Sequence, residues 1–128
     1  KLTRVFVLEY IALLGITSFM KISKGLVAAS SSPLILSILS ESESYGYAII
    51  QRVRDLSGGE MEWTEGMLYP VLHWLEKNRY VSAHWVVGET GRKRRYYAIS
   101  AAGRKYLSEQ RRQWEIVSST LRKAGQLS

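Results

Sequence analysis

The sequence predicts a mainly α-helical chain carrying one small β-hairpin, an α+β fold, on three observations. Apolar residues recur at three- and four-residue spacing in several segments preceded by Ser or Thr, the mark of capped amphipathic helices. Two β-rich runs flank a glycine-bracketed turn, which marks a hairpin. A long final stretch keeps its apolar residues at alternating three- and four-residue steps with no proline, which marks a C-terminal helix.

The segment Trp63 to Lys77 is the helix around which the others are arranged. Leu68, Leu72 and Leu75 form a narrow apolar stripe, while Glu65, Tyr69, His73 and Lys77 leave on another face, available to a partner. Thr64 stands at the N-cap position, and Gly66 keeps the first turn slim, a helix start suited to a phosphate. Pro70 lies inside the helix, where it removes a backbone hydrogen bond and is expected to bend the entry. Taken on its own, this stretch favours the simpler reading of an ordinary amphipathic helix capped by Thr64.

The 128 residues suffice for one domain with one core, and 46% apolar with 23% charged content is that of a folded protein. There is no cysteine, hence no disulfide framework and no thiolate metal site; His73 and His84 have no carboxylate or histidine at ligand spacing. No metal or other cofactor is expected, and a cytoplasmic location fits. The net charge of +7 is local. From Arg92 onward ten Lys or Arg face only Glu109 and Glu115, whereas residues 1–91 are nearly balanced. Such a concentration favours a polyanionic partner, nucleic acid before membrane, or simply a solvated basic surface.

Residues 1–19 run from Lys1 and Arg4 into an apolar stretch interrupted by Glu9, short for the roughly 20 residues of a membrane span. A signal peptide would begin this way, with Ala28-Ala29 as a processing site, but an extra packed segment extending a dimer interface suits the rest better. Met20 is a candidate natural start. The first core helix is expected to start at Ser32 as N-cap with Pro33 at its first position, followed by Leu34, Ile35, Leu36, Ile38 and Leu39. A second helix, Tyr45 to Leu56, is expected to be capped by Ser44, to turn Ile49, Ile50, Val53 and Leu56 inward, and to end at Gly58-Gly59.

Tyr80–Val87 and Arg94–Ile99 read as antiparallel strands around Gly88–Lys93, so Arg92, Lys93, Arg94 and Arg95 cluster at the hairpin tip and returning arm. A phosphate-contacting tip and a solvated one both fit. Ser100 caps a last helix, Ala101 to about Ala124, whose Leu107, Gln110, Trp114, Val117, Leu121 and Ala124 fit the seam of a short coiled coil between two chains better than packing onto the chain's own core, since the seam extends past what one small domain needs.

Three helices followed by a basic hairpin is the winged helix-turn-helix order, with the third helix as reader and the hairpin as wing. Its expected parts are an apolar extension at 1–23, a winged helix-turn-helix domain at 24–99 and a dimerisation helix at 100–128. The motifs Tyr45-Gly46-Tyr47-Ala48-Ile49-Ile50, Leu56-Ser57-Gly58-Gly59, Glu65-Gly66-Met67-Leu68-Tyr69-Pro70-Val71-Leu72, Leu75-Glu76, Gly91-Arg92-Lys93-Arg94-Arg95-Tyr96-Tyr97 and Ala102-Gly103-Arg104 jointly resemble the PadR family of bacterial transcriptional regulators. The likeness runs from about Lys24 to Trp114, in the family's short form with one C-terminal helix. It implies a homodimeric repressor that binds an inverted repeat in double-stranded DNA, as members of the family do, often releasing it when a small planar aromatic effector binds. Where the family usually has Thr, this chain has Met67, so a hydrogen bond is lost there and a different sequence preference is expected.

In this reading Tyr45, Thr64, Met67, Tyr69, His73, Arg92, Lys93 and Arg94 are the DNA-binding set. Leu107, Gln110, Trp114, Val117 and Leu121 form the dimer interface, where Trp114 and its two-fold mate either line a central slot for the effector with Leu107 and Val117 or simply fill the contact. The competing class is a winged-helix protein-interaction module without specific DNA binding. An enzyme is disfavoured by the lack of a nucleophile–base set or phosphate loop. Glu60, Glu62 and Glu65 cluster, as solvated turns do.

Overall fold

In a computed structural model that describes residues 22–126, the first helix, α1 (Lys24–Glu41), starts from Ser23, whose hydroxyl accepts the Leu26 N–H at 3.3 Å. This corrects the expected start at Ser32: Pro33 is interior, and α1 continues through it. The physical reason lies in the serines, which do not leave the helix. Ser30 Oγ donates to the Leu26 carbonyl at 2.7 Å and Ser31 Oγ to that of Ala28 at 2.8 Å, so each bonds back along its own helix instead of opening a turn. Ala28 and Ala29, weighed above as a processing site, lie within α1. The expectations for residues 1–19 lie outside the described residues.

Strand β1 (Ser44–Tyr45) and helix α2 (Gly46–Leu56) follow. Ser44 was expected to cap α2, but it pairs with β3 instead, and Tyr45 occupies the cap position in extended backbone without a side-chain hydrogen bond. Ile49 and Val53 are buried as expected and Ile50 partly so. Leu56 is 56% exposed, because α2 outruns the core in its last turn and leaves that side chain beside a shallow recess with Leu34, Ile38 and Arg111. Gly58 (φ 62°) and Gly59 (φ 86°) then reverse the chain in left-handed backbone.

Helix α3 (Glu65–Lys77) begins at Thr64, whose Oγ1 accepts the Met67 N–H at 3.3 Å, and continues unbroken through Pro70. Its stripe Leu68, Leu72 and Leu75 is fully buried. It packs with Ile35, Leu36, Ile38 and Leu39 of α1, with Ile49 and Val53, and with Trp63, Val81, Tyr97 and Leu107 in one core.

The wing consists of β2 (Val81–Val87) and β3 (Lys93–Ile99), paired antiparallel from Val81↔Ile99 to Val87↔Lys93. With β1 on the far side of β3, the sheet order is β1-β3-β2. Helix α4 (Ala101–Gly125) is capped by Ser100, which accepts the Gly103 N–H at 3.0 Å and donates to the Arg79 carbonyl at 2.7 Å. Its first turns are built into the core. Leu107 is 3% exposed within its own chain, so it has no surface to offer a partner or an effector and drops out of the expected seam and slot.

Candidate nucleic-acid interface

Alternation along the wing gives it two faces. On the inner one, Val81, Ala83, Trp85 and Val87 lie beside Ile99, Tyr97, Arg95 and Lys93; on the outer one, His84 and Val86 lie beside Tyr96 and Arg94. The inner face covers the core at its base, where Val81 and Tyr97 are buried, and then runs out past the core toward the tip.

There the wing, the start of α2 and the reader helix α3 enclose an open cleft of about 580 Å³. Of the expected DNA-binding residues, Tyr45, Tyr69, Arg92, Lys93 and Arg94 line it together. Tyr47, Glu65 and Trp85 also line it, and the motif reading had not assigned them to DNA. Thr64 and Met67 line a different recess, beside Val27 and Trp63. Met67 is partly buried against the core there, so its side chain is turned away from the wing cleft. His73 is exposed farther along α3 and does not line the cleft.

The four adjacent cations have different surroundings. Arg95 donates to Glu76 Oε2 on α3 at 2.8 Å and lies 5.7 Å from the Tyr97 ring centre, which makes it a brace between wing and reader helix. Arg94 stacks over Tyr45 at 4.6 Å, and Tyr45 in turn packs against Tyr96. Arg92 and Lys93 are exposed and have no ion-pair partner among the described residues. Burial pushes the Tyr97 phenol above its ordinary pKa, against the opposing pull of Arg95. His84, which has no partner in sequence, lies 3.4 Å from Glu43 in space, brought there by β1.

Two parts of this site escaped the motif reading. The brace links residues nineteen positions apart, a separation at which sequence periodicity carries no information. Trp85 carried a usable signal: strand alternation from Val81 places it on the core-facing side, in a register that outlasts the core.

Helix α3 thus faces a cationic wing across one open cleft. A family model described as the transcriptional regulator PadR-like family matches residues 35–109. The chain belongs to the PadR family. A transcriptional regulator from Clostridium thermocellum superposes with a TM-score of 0.73 at 32% identity, covering 80% of this chain and 96% of that one. The PadR-like transcriptional regulator from Bacillus cereus strain ATCC 14579 gives 0.72 at 28% identity, covering 82% and 100%. Among relatives by sequence, the transcriptional regulator YqjI of Escherichia coli is 29% identical over 89 residues, which is 70% of this chain and 41% of that one. PadR membership makes the chain a transcriptional regulator of winged-helix fold and not an enzyme. Among the described residues no helix is long and apolar enough to cross a membrane, and no group of three or more His, Asp or Glu is placed to hold a metal ion.

Proposed function

We propose that this PadR-family chain is a sequence-specific repressor that binds an inverted repeat in double-stranded DNA as a homodimer. The observation that carries this reading is the single cleft in which Tyr69 of the reader helix faces Arg92 and Lys93 of the wing, two cations with no ion-pair partner among the described residues. A groove lined by cations and phenols suits a phosphate backbone, and the exposed surface of α3 suits base edges in the major groove. The dimer reading rests on the outer half of α4, where Ile116, Val117 and Leu121 stand exposed in a single chain, Leu121 at 70%. A two-fold contact along that helix, continued by Gln110 and Trp114, covers them.

Release by a small planar aromatic effector belongs to the same proposal. Trp114 is half-buried and lines a recess of about 270 Å³ with Pro33, Leu34 and Met61, while Arg111 at its rim donates to Ser37 Oγ at 3.0 Å. In this proposal the effector uses that recess beside Trp114 on the α1 side, in place of a central slot between two Trp114 rings, and Val117 is exposed farther along α4. The deciding experiment is selection of binding sequences from random duplex DNA. A palindromic consensus is expected; a pool that never enriches sinks the reading and favours the protein-interaction module. Quenching of Trp fluorescence by phenolic acids and planar dyes, lost in Trp114→Ala, tests the effector.

A further inference from the structure

Trp85 is 65% exposed, and its neighbour on the same strand face, Val87, is exposed as well. Both belong to the inner face of the wing, and Trp85 lines the cleft opposite Tyr69. An indole and an isopropyl group held in water without a covering partner lose the stabilisation that apolar burial brings, so their placement calls for an occupant. Charge identifies it. Across the strand pair, Trp85 stands beside Arg95 and Val87 beside Lys93, with Arg92 next along the chain. The inner face is thus a strip in which apolar side chains alternate with cations. A nucleic-acid strand has the complementary composition, since its apolar deoxyriboses alternate with phosphates.

We propose that Trp85 and Val87 form a contact strip that packs against the deoxyribose wall of the bound duplex, while Lys93 and Arg92 take the flanking phosphates. The inference rests on the DNA-binding reading above and adds to it an apolar, sequence-independent contact. Arg95 stays with Glu76 and holds the strip at a fixed distance from the reader helix. The cations favour this occupant over an apolar protein surface, whose burial of Trp85 would leave Lys93 without a counter-charge.

The test uses the full chain and a fluorescein-labelled mixed-sequence duplex of about 30 base pairs, long enough for two half-sites about one turn apart. Binding is followed by anisotropy over a range of salt. Trp85→Ala is expected to weaken binding roughly tenfold at every salt, leaving the slope of log K against log salt unchanged, because an apolar contact displaces no counterions. Trp85→Phe is expected to restore most of the affinity, and thermal melting of both variants to match the wild type. Affinity of Trp85→Ala within twofold of wild type overturns the strip while leaving DNA binding intact. A changed salt slope or a lowered melting temperature also overturns it, by assigning Trp85 an electrostatic or structural role. A wild-type chain that binds neither this duplex nor any duplex selected from random sequence removes the underlying reading, and the strip with it.

Discussion

The ring of Tyr69 lies directly over Gly46, so close that a Cβ at position 46 would collide with the phenol. The start of α2 and the reader helix therefore meet at the one residue that leaves the ring room. What would have to yield is the free end of a side chain, and helical backbone accepts Ala better than Gly. Gly46→Ala should melt no lower than wild type yet bind DNA several-fold more weakly, since Tyr69 swings out of the cleft. Unchanged affinity would show that the ring position is unimportant. Gly103→Ala is the opposite case: its Cβ would meet the backbone carbonyl of Tyr80, which cannot move aside, so a loss of about 1–3 kcal/mol of stability is expected in thermal or urea unfolding.

The wing cations make a quantitative prediction. Each phosphate neutralised contributes a slope of about −0.9 in log K against log salt. Replacing Arg92, Lys93 and Arg94 together by Ala should flatten the slope by about two to three units. A triple variant with the wild-type slope would place the phosphate contacts elsewhere.

Glu76 never reaches the cleft, yet its carboxylate holds Arg95 at 2.8 Å. Glu76→Gln should free the wing without removing a cation, raising amide exchange in β2 and β3. Both side chains are partly exposed, so the affinity loss should stay below about fivefold. Exchange rates equal to wild type would mean that the pair does not brace the wing.

The two ends of α4 should respond differently to substitution. Leu107 sits in the core, and Leu107→Ala should cost about 2–5 kcal/mol in unfolding experiments. Leu121 is exposed, and Leu121→Glu should halve the mass in sedimentation while the remaining monomer stays folded. A dimeric Leu121→Glu would move the interface off this stretch.

Glu109, between these ends, accepts from Arg112 at 2.8 Å and from Gln113 at 3.0 Å; the hydrogen bonds from Arg112 and then Gln113 hold its pKa at about 2. A depressed carboxylate stabilises the fold above its unfolded pKa, and the contribution disappears as pH falls through about 2. The side chain is exposed, so solvent screens the effect. The direct measurement is a carbon NMR titration of the Glu109 carboxyl; a midpoint near 4.5 contradicts it.

How much of this was legible in the sequence depended on whether the cause was local. Leu68, Leu72 and Leu75 were readable because helix periodicity alone determines a stripe, and Thr64 and Ser100 because a cap acts within three residues. Ser32-Pro33 misled because the same pair suits a helix start and a helix interior. What separates the two is that Ser23 caps α1 and that Ser30 and Ser31 bond backwards along it. Ser44 offered a cap and became a strand, since its partner Tyr97 lies far along the chain. Leu107 kept the seam spacing and went to the core, because spacing gives a residue's face but not what that face meets.

The two residues of β1 have a mechanical consequence. Ser44 and Tyr45 hydrogen-bond to the returning arm of the wing, and Tyr45 leads straight into Gly46 and α2, while Arg94 clasps the Tyr45 ring from the wing side. The wing is thus not a flap on a hinge. Hairpin, first turn of α2 and the tyrosine resting on it are joined into one unit, so any tilt of that unit carries Tyr45, Tyr69, Arg92, Lys93 and Arg94 round together.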